Sequence, residues 1–378
     1  MKEIFIKQRF EVPFRYNVYF KRDLFEESND FLRKLLESEG ASRLAVVIDG
    51  GLAQAQPDLR SRIDRYFKGS FTAACIEVQG GEAVKNSWEG VEAVLKLVNE
   101  QHIDRHSYVI AIGGGAVLDM AGFAAAIAHR GVRHIRIPTT VLSQNDSGVG
   151  VKNGINYFGK KNFIGTFAPP NVVINDVTFL ETLNDRDWRS GISEAIKVSL
   201  LKDPDFFEWI EENVHALNAR NADVMEELIY RCAELHVEHI SGQGDPFESG
   251  SSRPLDFGHW AAHKLEHVTD YTVRHGEAVA MGIALDVCYA GEIGMLSQAL
   301  TDRIVRLISS LGFAVYHTDL GDENGMNPEI MHGLVEFQEH LGGVLTITLI
   351  EDVGKAVDVH EVDHDAYDRS IKKLKNRS

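Results

Sequence analysis

The chain of 378 residues is long enough for two domains with separate cores. Its composition, 44% apolar and 25% charged, is typical of a globular protein rather than a disordered or fibrous one. The net charge of −17 and the lack of a long basic run argue against nucleic acid or an anionic membrane as partner. Cys75, Cys232 and Cys288 lie far apart, which favours buried thiols in a reducing compartment. With no apolar signal core and no apolar run of 18 residues, we predict a cytoplasmic protein without a membrane span.

Strands and helices alternate through the first half of the chain. Alternating apolar residues around Val12-Pro13 predict two strands or a hairpin over residues 1–20. The further predicted elements are a helix at 22–38, strands at 44–49, 72–78, 108–112, 134–138 and 171–176, helices at 56–68, 86–102 and from the glycine turn to 130, and turns with short strands over 139–168. This alternation predicts a parallel sheet with helices on both faces and ligands at the carboxyl ends of its strands.

The pattern changes near residue 180. From there to about 342 the chain reads as helices, followed by a strand pair at 344–349 and 355–359 and a charged terminal helix. We therefore predict an α/β domain at 1–180 and a mostly α-helical domain at 181–378.

A glycine turn, Gly113-Gly114-Gly115, joins a buried strand to an alanine-rich helix. Glycines there let backbone N–H groups approach a ligand, and a helix amino terminus favours an anion such as a pyrophosphate. The spacing is not that of the GxGxxG fingerprint, and a turn without a ligand remains an alternative.

The second half contains a set of residues that suits a metal ion. His259 and His263 are four residues apart, so both project from one side of a helix, and His275 opens the next helix. Glu194 lies in a helical context with Lys197 three residues on, along the same face. Two imidazoles and a carboxylate make a good Zn²⁺ site with room for substrate. Because the chain has 16 histidines, chance clustering of structural histidines stays an alternative.

Several motifs in order carry a resemblance to a known family. They are Pro138–Asn156, the glycine turn with Asp119, Gly159–Asn162, Glu194 with Lys197, Leu255–His263 and His275–Glu277. These stretches resemble 3-dehydroquinate synthase and the wider sugar phosphate cyclases over roughly residues 40–360. The resemblance implies an amino-terminal NAD-binding domain, a helical metal-binding domain and a cleft between them. It also implies NAD and Zn²⁺ (or Co²⁺) as cofactors, a small sugar phosphate as substrate, and a homodimer.

The resemblance assigns roles to individual residues. It implies Glu194, His259 and His275 as metal ligands. It places NAD⁺ against Asp49, Glu82, Lys85, Gly114, Gly115, Asp119, Thr139, Thr140, Lys161, Phe179, Thr182 and Leu183. It places substrate near Arg130, Asp146, Lys152, Asn162, Lys197, Asp256 and His263, with Arg130 reaching across the dimer interface. Lys197, Glu248, His263 and Lys152 are the implied catalytic residues, with Glu248 as a proton acceptor.

The chemistry that the resemblance implies is a phosphate-eliminating lyase reaction. NAD⁺ transiently oxidises a ring hydroxyl, which acidifies the neighbouring C–H, and a bound cation stabilises the alkoxide. Phosphate leaves, the ketone is reduced again, and ring opening with an intramolecular aldol step forms a carbocycle. Lys152, Asn162, Arg130 and His263 supply donors that a phosphate needs.

The chain departs from the family at the basic residues that hold a substrate carboxylate. Counted from His259, the family's lysine falls at Glu238, its arginine at Ser252 and its asparagine at Asp256, and a late lysine pair falls at about Gln338-Glu339. Arg253, one residue out of register, restores one positive charge if the loop shifts. A carboxylate beside a substrate carboxylate costs on the order of a few kcal/mol in a poorly solvated cleft. We therefore predict a substrate without a carboxylate, similar to sedoheptulose 7-phosphate, the substrate of the 2-epi-5-epi-valiolone synthases.

Three alternatives remain open from the sequence. The first is 3-dehydroquinate synthase itself, with Arg253 and another base holding the acid. The second is a polyol dehydrogenase of the glycerol dehydrogenase type, which would release NADH. The third is a non-catalytic protein that binds NAD or a sugar.

Overall fold

The computed structural model describes residues 5–242, 246–247, 254–340 and 343–377. The strands of the amino-terminal domain are β1 (Asn17–Lys21), β2 (Arg43–Asp49), β3 (Thr72–Val78), β4 (Tyr108–Gly113), β5 (Arg133–Pro138), β6 (Lys152–Tyr157), β7 (Lys160–Phe167) and β8 (Val172–Asp176). Six of them form one parallel sheet in the order β1-β8-β5-β4-β2-β3. The other two, β6 and β7, pair as a separate antiparallel hairpin.

Helices cover both faces of this sheet, as the apolar strands require. They are α1 (Phe31–Ser38), α2 (Gly50–Ala55), α3 (Leu59–Phe67), α4 (Glu89–Glu100) and α5 (Gly115–Ile127). On one face α4 and α5 pack over alternate side chains of β2 and β4, and on the other face α1 and α3 pack over the remaining ones. Burial on both faces explains why β4 is apolar throughout instead of alternating with polar residues.

The carboxyl-terminal domain is built mainly of helices. They are α6 (Asp185–Ser190), α7 (Ile192–Lys202), α8 (Pro204–Glu212), α9 (Val214–Asn218), α10 (Ala222–Gly242), α11 (His259–Val268), α12 (His275–Glu292), α13 (Gln298–Ser310), α14 (Pro328–His340) and α15 (His364–Lys375). Two short antiparallel pairs complete the domain: β9 (Gly321–Asp322) with β10 (Gly325–Met326), and β11 (Ile347–Asp352) with β12 (Lys355–Val359). Helix α12 runs through the core and is buried along most of its length. Among the described residues, none of these helices combines the length and apolarity needed to cross a bilayer.

The prediction of two strands or a hairpin over residues 1–20 is wrong for the part of this segment that the structure describes. Residues 5–16 contain no regular element, and β1 instead joins the edge of the main sheet beside β8 in parallel. The helix predicted at 22–38 begins only at Phe31, because turns occupy residues 24–28 and the Asn29 side chain accepts the Phe31 N–H. The two-domain architecture of an α/β half followed by a helical half is confirmed. The exact boundary at residue 180 stays a prediction.

Candidate active site

A cavity of about 740 Å³ opens between the two domains. On one side it is lined by residues at or just after the carboxyl ends of four parallel strands, β2, β3, β4 and β5, in keeping with the usual ligand position on such sheets. On the other side, residues of α11 and α12 complete it, including Glu266 and His275. The volume is within the range of small-molecule and cofactor sites.

The glycine turn forms one wall of this cavity. Helix α5 begins at Gly115, and no side chain caps its first turn. A Cβ atom on Gly115 would lie 2.6 Å from Ser147 Oγ, so a larger residue at this position would force that hydroxyl to move. Uncapped N–H groups at the start of a 13-residue helix, facing a cavity, form a favourable position for an anionic group.

The structure brings most of the predicted dinucleotide residues to this cavity. Nine of them line it: Asp49, Glu82, Gly114, Gly115, Thr139, Thr140, Lys161, Thr182 and Leu183. Three others do not. Lys85 donates to Asp119 at 2.8 Å, so these two side chains pair behind the cavity wall, and Phe179 packs in the core under the sheet. The Asp49 carboxylate accepts the Gly51 N–H at 2.8 Å and caps α2.

Glu194, His259 and His275 converge at the helical side of the cleft. The Oε1 atom of Glu194 lies 3.6 Å from His259 Nε2 and 3.3 Å from His275 Nε2. Ligands bound at about 2.0–2.2 Å in a tetrahedron are roughly 3.4 Å apart, so these separations suit a Zn²⁺-sized ion. Glu194 is fully buried, and neither of its oxygens makes a well-formed hydrogen bond to any residue that the structure describes. A buried carboxylate that faces two imidazoles and makes no well-formed hydrogen bond fits a metal ligand.

Two glycines let the helices that carry these ligands meet. Gly258, the residue before α11, has φ 76°, and a Cβ there would lie 2.7 Å from the Ile283 backbone nitrogen on α12. A Cβ on Gly276 would lie 2.0 Å from the Ser190 carbonyl oxygen on α6. Both positions therefore need glycine, and the close packing places His259 and His275 at the first residues of their helices, facing Glu194.

The outer nitrogen of each imidazole has its own partner. His259 Nδ1 is 3.0 Å from the Phe257 carbonyl oxygen, and His275 Nδ1 is 3.0 Å from Glu266 Oε2. In these contacts Nδ1–H of each ring donates to its partner, and each Nε2 faces Glu194, as in many metal sites. Burial lowers the pKa of His275, but Glu266 and Glu194 outweigh it and raise that pKa to about 9.

A buried chain of charges extends from the cluster. Lys197 Nζ lies 2.5 Å from Glu194 Oε2 and 3.9 Å from Asp146 Oδ1, and His236 Nδ1 lies 2.9 Å from the same Asp146 oxygen. Burial opposes the charge of Lys197, but Glu194 and Asp146 raise its pKa above the ordinary value. Burial and Glu194 also oppose ionisation of Asp146, yet Lys197 and His236 hold its pKa below the ordinary value. Lys197, Glu194 and Asp146 are therefore charged at neutral pH.

His263 and Asp256 flank this chain. The His263 ring is open to water and lies edge-on to His259, with centroids 5.3 Å apart. Desolvation by the surrounding protein, together with His259 and Lys161, lowers the pKa of His263 well below the ordinary value, so its ring is neutral at neutral pH. Asp256 is half-buried and close enough to Lys197 to raise the pKa of that lysine further.

The predicted phosphate residues lie on two separate parts of the surface. Lys152 is exposed at the start of β6, and the Asn162 side-chain oxygen accepts from Lys85. Arg130 is exposed after α5 with φ 63°, where it lines a different cavity together with Arg105. The structure thus does not bring Arg130 to the metal cluster of its own chain.

Three positions at which the chain departs from the family's basic residues, Glu238, Gln338 and Glu339, do not line the cavity. Glu238 is exposed on α10, and the residue of that helix that faces Asp146 is His236 instead. Near the end of α14, Gln338 donates to the Gly343 carbonyl and Glu339 is exposed, and neither lines the cavity. Glu248, Ser252 and Arg253 lie outside the described residues.

The sequence reasoning missed three residues that organise the site. Arg136 is fully buried and donates to the Gly148, Gly150 and Lys152 carbonyl oxygens at 2.8 to 3.0 Å, which fixes the loop before β6. His236 and Glu266 were missed as well. Glu266 had a signal, because it follows His259 by seven residues and so shares its helix face, whereas Arg136 and His236 had none.

Comparison with known proteins identifies relatives of both halves. Residues 75–190 match the 3-dehydroquinate synthase amino-terminal family, and residues 191–332 match the 3-dehydroquinate synthase carboxyl-terminal family. A 3-dehydroquinate synthase of Nitrosospira multiformis is 37% identical over 282 residues, which are 74% of this chain and 75% of the relative.

Two solved structures have the same fold. A 2-epi-5-epi-valiolone synthase from Streptomyces hygroscopicus subsp. jinggangensis, with NAD⁺ and Zn²⁺ bound, superposes with a TM-score of 0.89 at 26% identity, covering 98% of this chain and 100% of that one. A 2-deoxy-scyllo-inosose synthase complexed with carbaglucose-6-phosphate, NAD⁺ and Co²⁺ has a TM-score of 0.80 at 22% identity, with 95% and 96% covered. Taken with the matches to both domains, this likeness shows that the chain belongs to the 3-dehydroquinate synthase family of phosphate-eliminating, carbocycle-forming lyases.

Proposed function

We propose that this protein is an NAD- and metal-dependent sugar phosphate cyclase whose substrate is a ketose phosphate without a carboxylate, similar to sedoheptulose 7-phosphate. One observation carries the proposal. His275, which belongs to the cluster formed with Glu194 and His259 (the metal-type cluster), lines the same cavity as the glycine turn. A substrate hydroxyl beside His275 would therefore reach both a cation and a dinucleotide.

Glu194, His259 and His275 are the residues that would hold the cation. Their donor set of one carboxylate and two imidazoles suits Zn²⁺ or Co²⁺, and three protein ligands leave a position for substrate oxygen. The solved 2-epi-5-epi-valiolone synthase with NAD⁺ and Zn²⁺ supports this pairing of cofactors.

The dinucleotide would occupy the strand side of the cavity. Its pyrophosphate fits the uncapped start of α5 at Gly114 and Gly115, and Thr139, Thr140 and Lys161 supply further donors. Lys85, Asp119 and Phe179 do not line the cavity, so they would act indirectly, by holding the lining residues in position. When bound, the dinucleotide supplies a reversible oxidation of one substrate hydroxyl, and the cation supplies Lewis acidity at that oxygen.

The residues of the chain would then move protons and hold the substrate. Oxidation acidifies the C–H next to the new ketone, and neutral His263, with Glu248 as the second proton acceptor, removes and returns protons around the elimination. Charged Lys197 and Asp146, with Asp256, orient the ring hydroxyls. Lys152 and Asn162 hold the departing phosphate.

We further propose a homodimer in which Arg130 of one protomer serves the site of the other. Arg130 is exposed and lines a cavity distinct from the one beside His275, which supports a role outside its own chain. Mass measured in solution together with the activity of Arg130→Ala tests this. A monomeric protein with full activity after the substitution would contradict it.

The three free cysteines, two of them buried, agree with a cytoplasmic location.

The charges in the site favour a substrate without a carboxylate. Both lysines near the cluster already face carboxylates: Lys197 faces Glu194 and Asp146, and Lys161 faces Glu266. A substrate carboxylate would have to displace one of these partners or remain next to Asp256. Sugar hydroxyls, by contrast, donate readily to carboxylates.

A second candidate is 3-dehydroquinate synthase itself. The observation that favours it is the set of curated relatives with that name at 34 to 37% identity. It would need a base outside the described residues, such as Arg253, to hold the substrate acid.

In the deciding experiment, purified protein is incubated with NAD⁺ and with Zn²⁺ or Co²⁺. Either sedoheptulose 7-phosphate or the 3-dehydroquinate synthase substrate is then added. Phosphate release and NADH absorbance are followed together. We expect phosphate from the heptulose phosphate alone, with no NADH accumulating. Phosphate from the acid substrate would establish the second candidate, and stoichiometric NADH with a polyol would establish a dehydrogenase. Binding without any turnover would indicate a non-catalytic protein.

A further inference from the structure

Glu266 occupies a position between the two halves of the site. It lies on α11, seven residues after His259, so two helical turns place both side chains on one face. Its side chain is only 4% exposed, and each of its two oxygens contacts a different cationic group. A buried carboxylate with two separate partners holds both in fixed positions.

The first partner belongs to the metal-type cluster. Glu266 Oε2 lies 3.0 Å from His275 Nδ1, on the side of the ring opposite Glu194. This contact turns Nε2 of His275 toward Glu194, where a bound cation would take the place of the Nε2 proton. Carboxylates in this position typically tune metal affinity by about 10- to 100-fold.

The second partner belongs to the other domain. Glu266 Oε1 accepts from Lys161 Nζ at 2.9 Å, and Lys161 lies on β7 of the amino-terminal domain. Lys161 and Glu266 both line the cavity together with the glycine turn. Glu266 therefore touches His275 in the helical half of the cleft and Lys161 in the strand half, and its ion pair with Lys161 links the two domains.

We propose that Glu266 is a positioning residue that couples the metal site to the dinucleotide site, so that each ligand strengthens the binding of the other. The inference rests on the proposed function for the identity of the two ligands. A cation on His275 orders Glu266 and, through it, Lys161. A dinucleotide that engages Lys161 orders the same carboxylate from the other side. Because the first ligand to bind has already ordered these side chains, the second loses less conformational entropy when it binds.

The test measures binding rather than turnover. Co²⁺ is titrated into the full-length protein by its visible absorption, with and without saturating NAD⁺, and NAD⁺ is titrated calorimetrically with and without Co²⁺. For the unaltered protein we expect each ligand to raise the affinity of the other by the same factor, about fivefold or more. In Glu266→Gln we expect Co²⁺ affinity to fall by about 10- to 100-fold and the mutual factor to fall below about twofold.

Two further variants separate coupling from a purely structural role. Lys161→Met leaves His275 and its acceptor intact, so Co²⁺ affinity without NAD⁺ should stay within about threefold while the mutual factor is lost. Glu336→Gln is the matched control, because Glu336 pairs with Lys264 of the same helix α11 outside the cavity. It should change neither affinity nor the mutual factor. Since Lys161 lies on a hairpin and is partly exposed, its variant keeps the test valid if Glu266→Gln fails to fold.

The outcomes distinguish the inference from the proposed function. Retention of the mutual factor in Glu266→Gln or in Lys161→Met overturns the coupling role. An unaltered protein that binds Co²⁺ and NAD⁺ without mutual effect also overturns it and leaves the proposed function standing. An unaltered protein that binds neither ligand defeats the proposed function itself.

Discussion

The two walls of the cleft are constructed from different materials. The wall on the parallel sheet presents backbone N–H groups, glycines and threonines at strand ends, with α5 beginning at Gly115. The wall on the helices presents buried charges, from Glu266 through His275 and Glu194 to Lys197 and Asp146. The first wall depends on backbone geometry, so a substitution there should affect only ligand binding at that position. The second depends on mutual compensation of charges, so removing one member should affect its neighbours.

The largest effect should come from removing Lys197. In Lys197→Met, Glu194 and Asp146 remain buried without their shared cation, so we expect about 3–5 kcal/mol of destabilisation in the metal-free protein at pH 8. Because the lysine competes with a cation for Glu194, Co²⁺ affinity should rise. Denaturant unfolding and Co²⁺ titration measure the two changes.

Lys264→Met is the matched control for this prediction. Lys264 is also largely buried, but its partners Glu329 and Glu336 are exposed, so we expect at most about 1 kcal/mol. Equal losses in both variants would show that the charges of the helical wall do not compensate one another.

Removing a ligand should abolish cation binding without a comparable loss of fold. For His259→Ala we expect Co²⁺ affinity to fall by more than about 100-fold, since even outer contacts of metal ligands are worth 10- to 100-fold. His267→Ala changes an exposed histidine of the same helix and should leave the titration unchanged. Unchanged Co²⁺ affinity in His259→Ala would exclude this histidine from the site.

The helical wall should also show a characteristic dependence on pH. In the metal-free protein His275 has a pKa of about 9, so below pH 9 a cation must displace a proton. Metal affinity should therefore rise about tenfold per pH unit between pH 7 and 8 and level off above pH 9. Calorimetry in two buffers of different ionisation enthalpy should find about one proton released per ion. Release of no proton at pH 7 would contradict the charge assigned to His275.

The same histidine predicts the sign of a stability change. Its folded pKa lies above the ordinary value near 6.5, so the protonated form favours folding. This contribution is fully present below about pH 6.5 and is lost as pH rises through 9. Thermal unfolding of the metal-free protein, compared with His275→Gln, should therefore differ less at pH 9 than at pH 6.

The two walls also differ in how much of them the sequence could predict. The glycine turn and the strand ends lie in contiguous stretches, and most predicted dinucleotide residues do line the cavity. On the helical side, residue type and spacing singled out Glu194, His259, His263 and His275. The family resemblance implied three of them as ligands, and Glu194, His259 and His275 do converge. His236 and Arg136 could not be found, because their partners lie 90 and 12 to 16 residues away and only tertiary packing brings them together. Glu238, located by counting along the sequence, is exposed on α10, whereas His236, two positions earlier on the same helix, faces Asp146.

The smallest expected effect tests the strand wall alone. Gly114 has φ −72°, which any residue adopts, and a Cβ there would lie 3.4 Å from Thr140 Cγ2, so Gly114→Ala fits without strain in the fold. The added methyl would project toward the cavity where the dinucleotide is proposed. We expect NAD⁺ affinity to fall by about tenfold, or 1.4 kcal/mol, with unfolding free energy unchanged within about 0.5 kcal/mol and Co²⁺ affinity without NAD⁺ unchanged. Calorimetric NAD⁺ titration measures the first quantity. A methyl group at Gly114 carries no charge, so it cannot act electrostatically on His275. An equal loss of Co²⁺ affinity would therefore show that the strand wall and the charged wall are not independent.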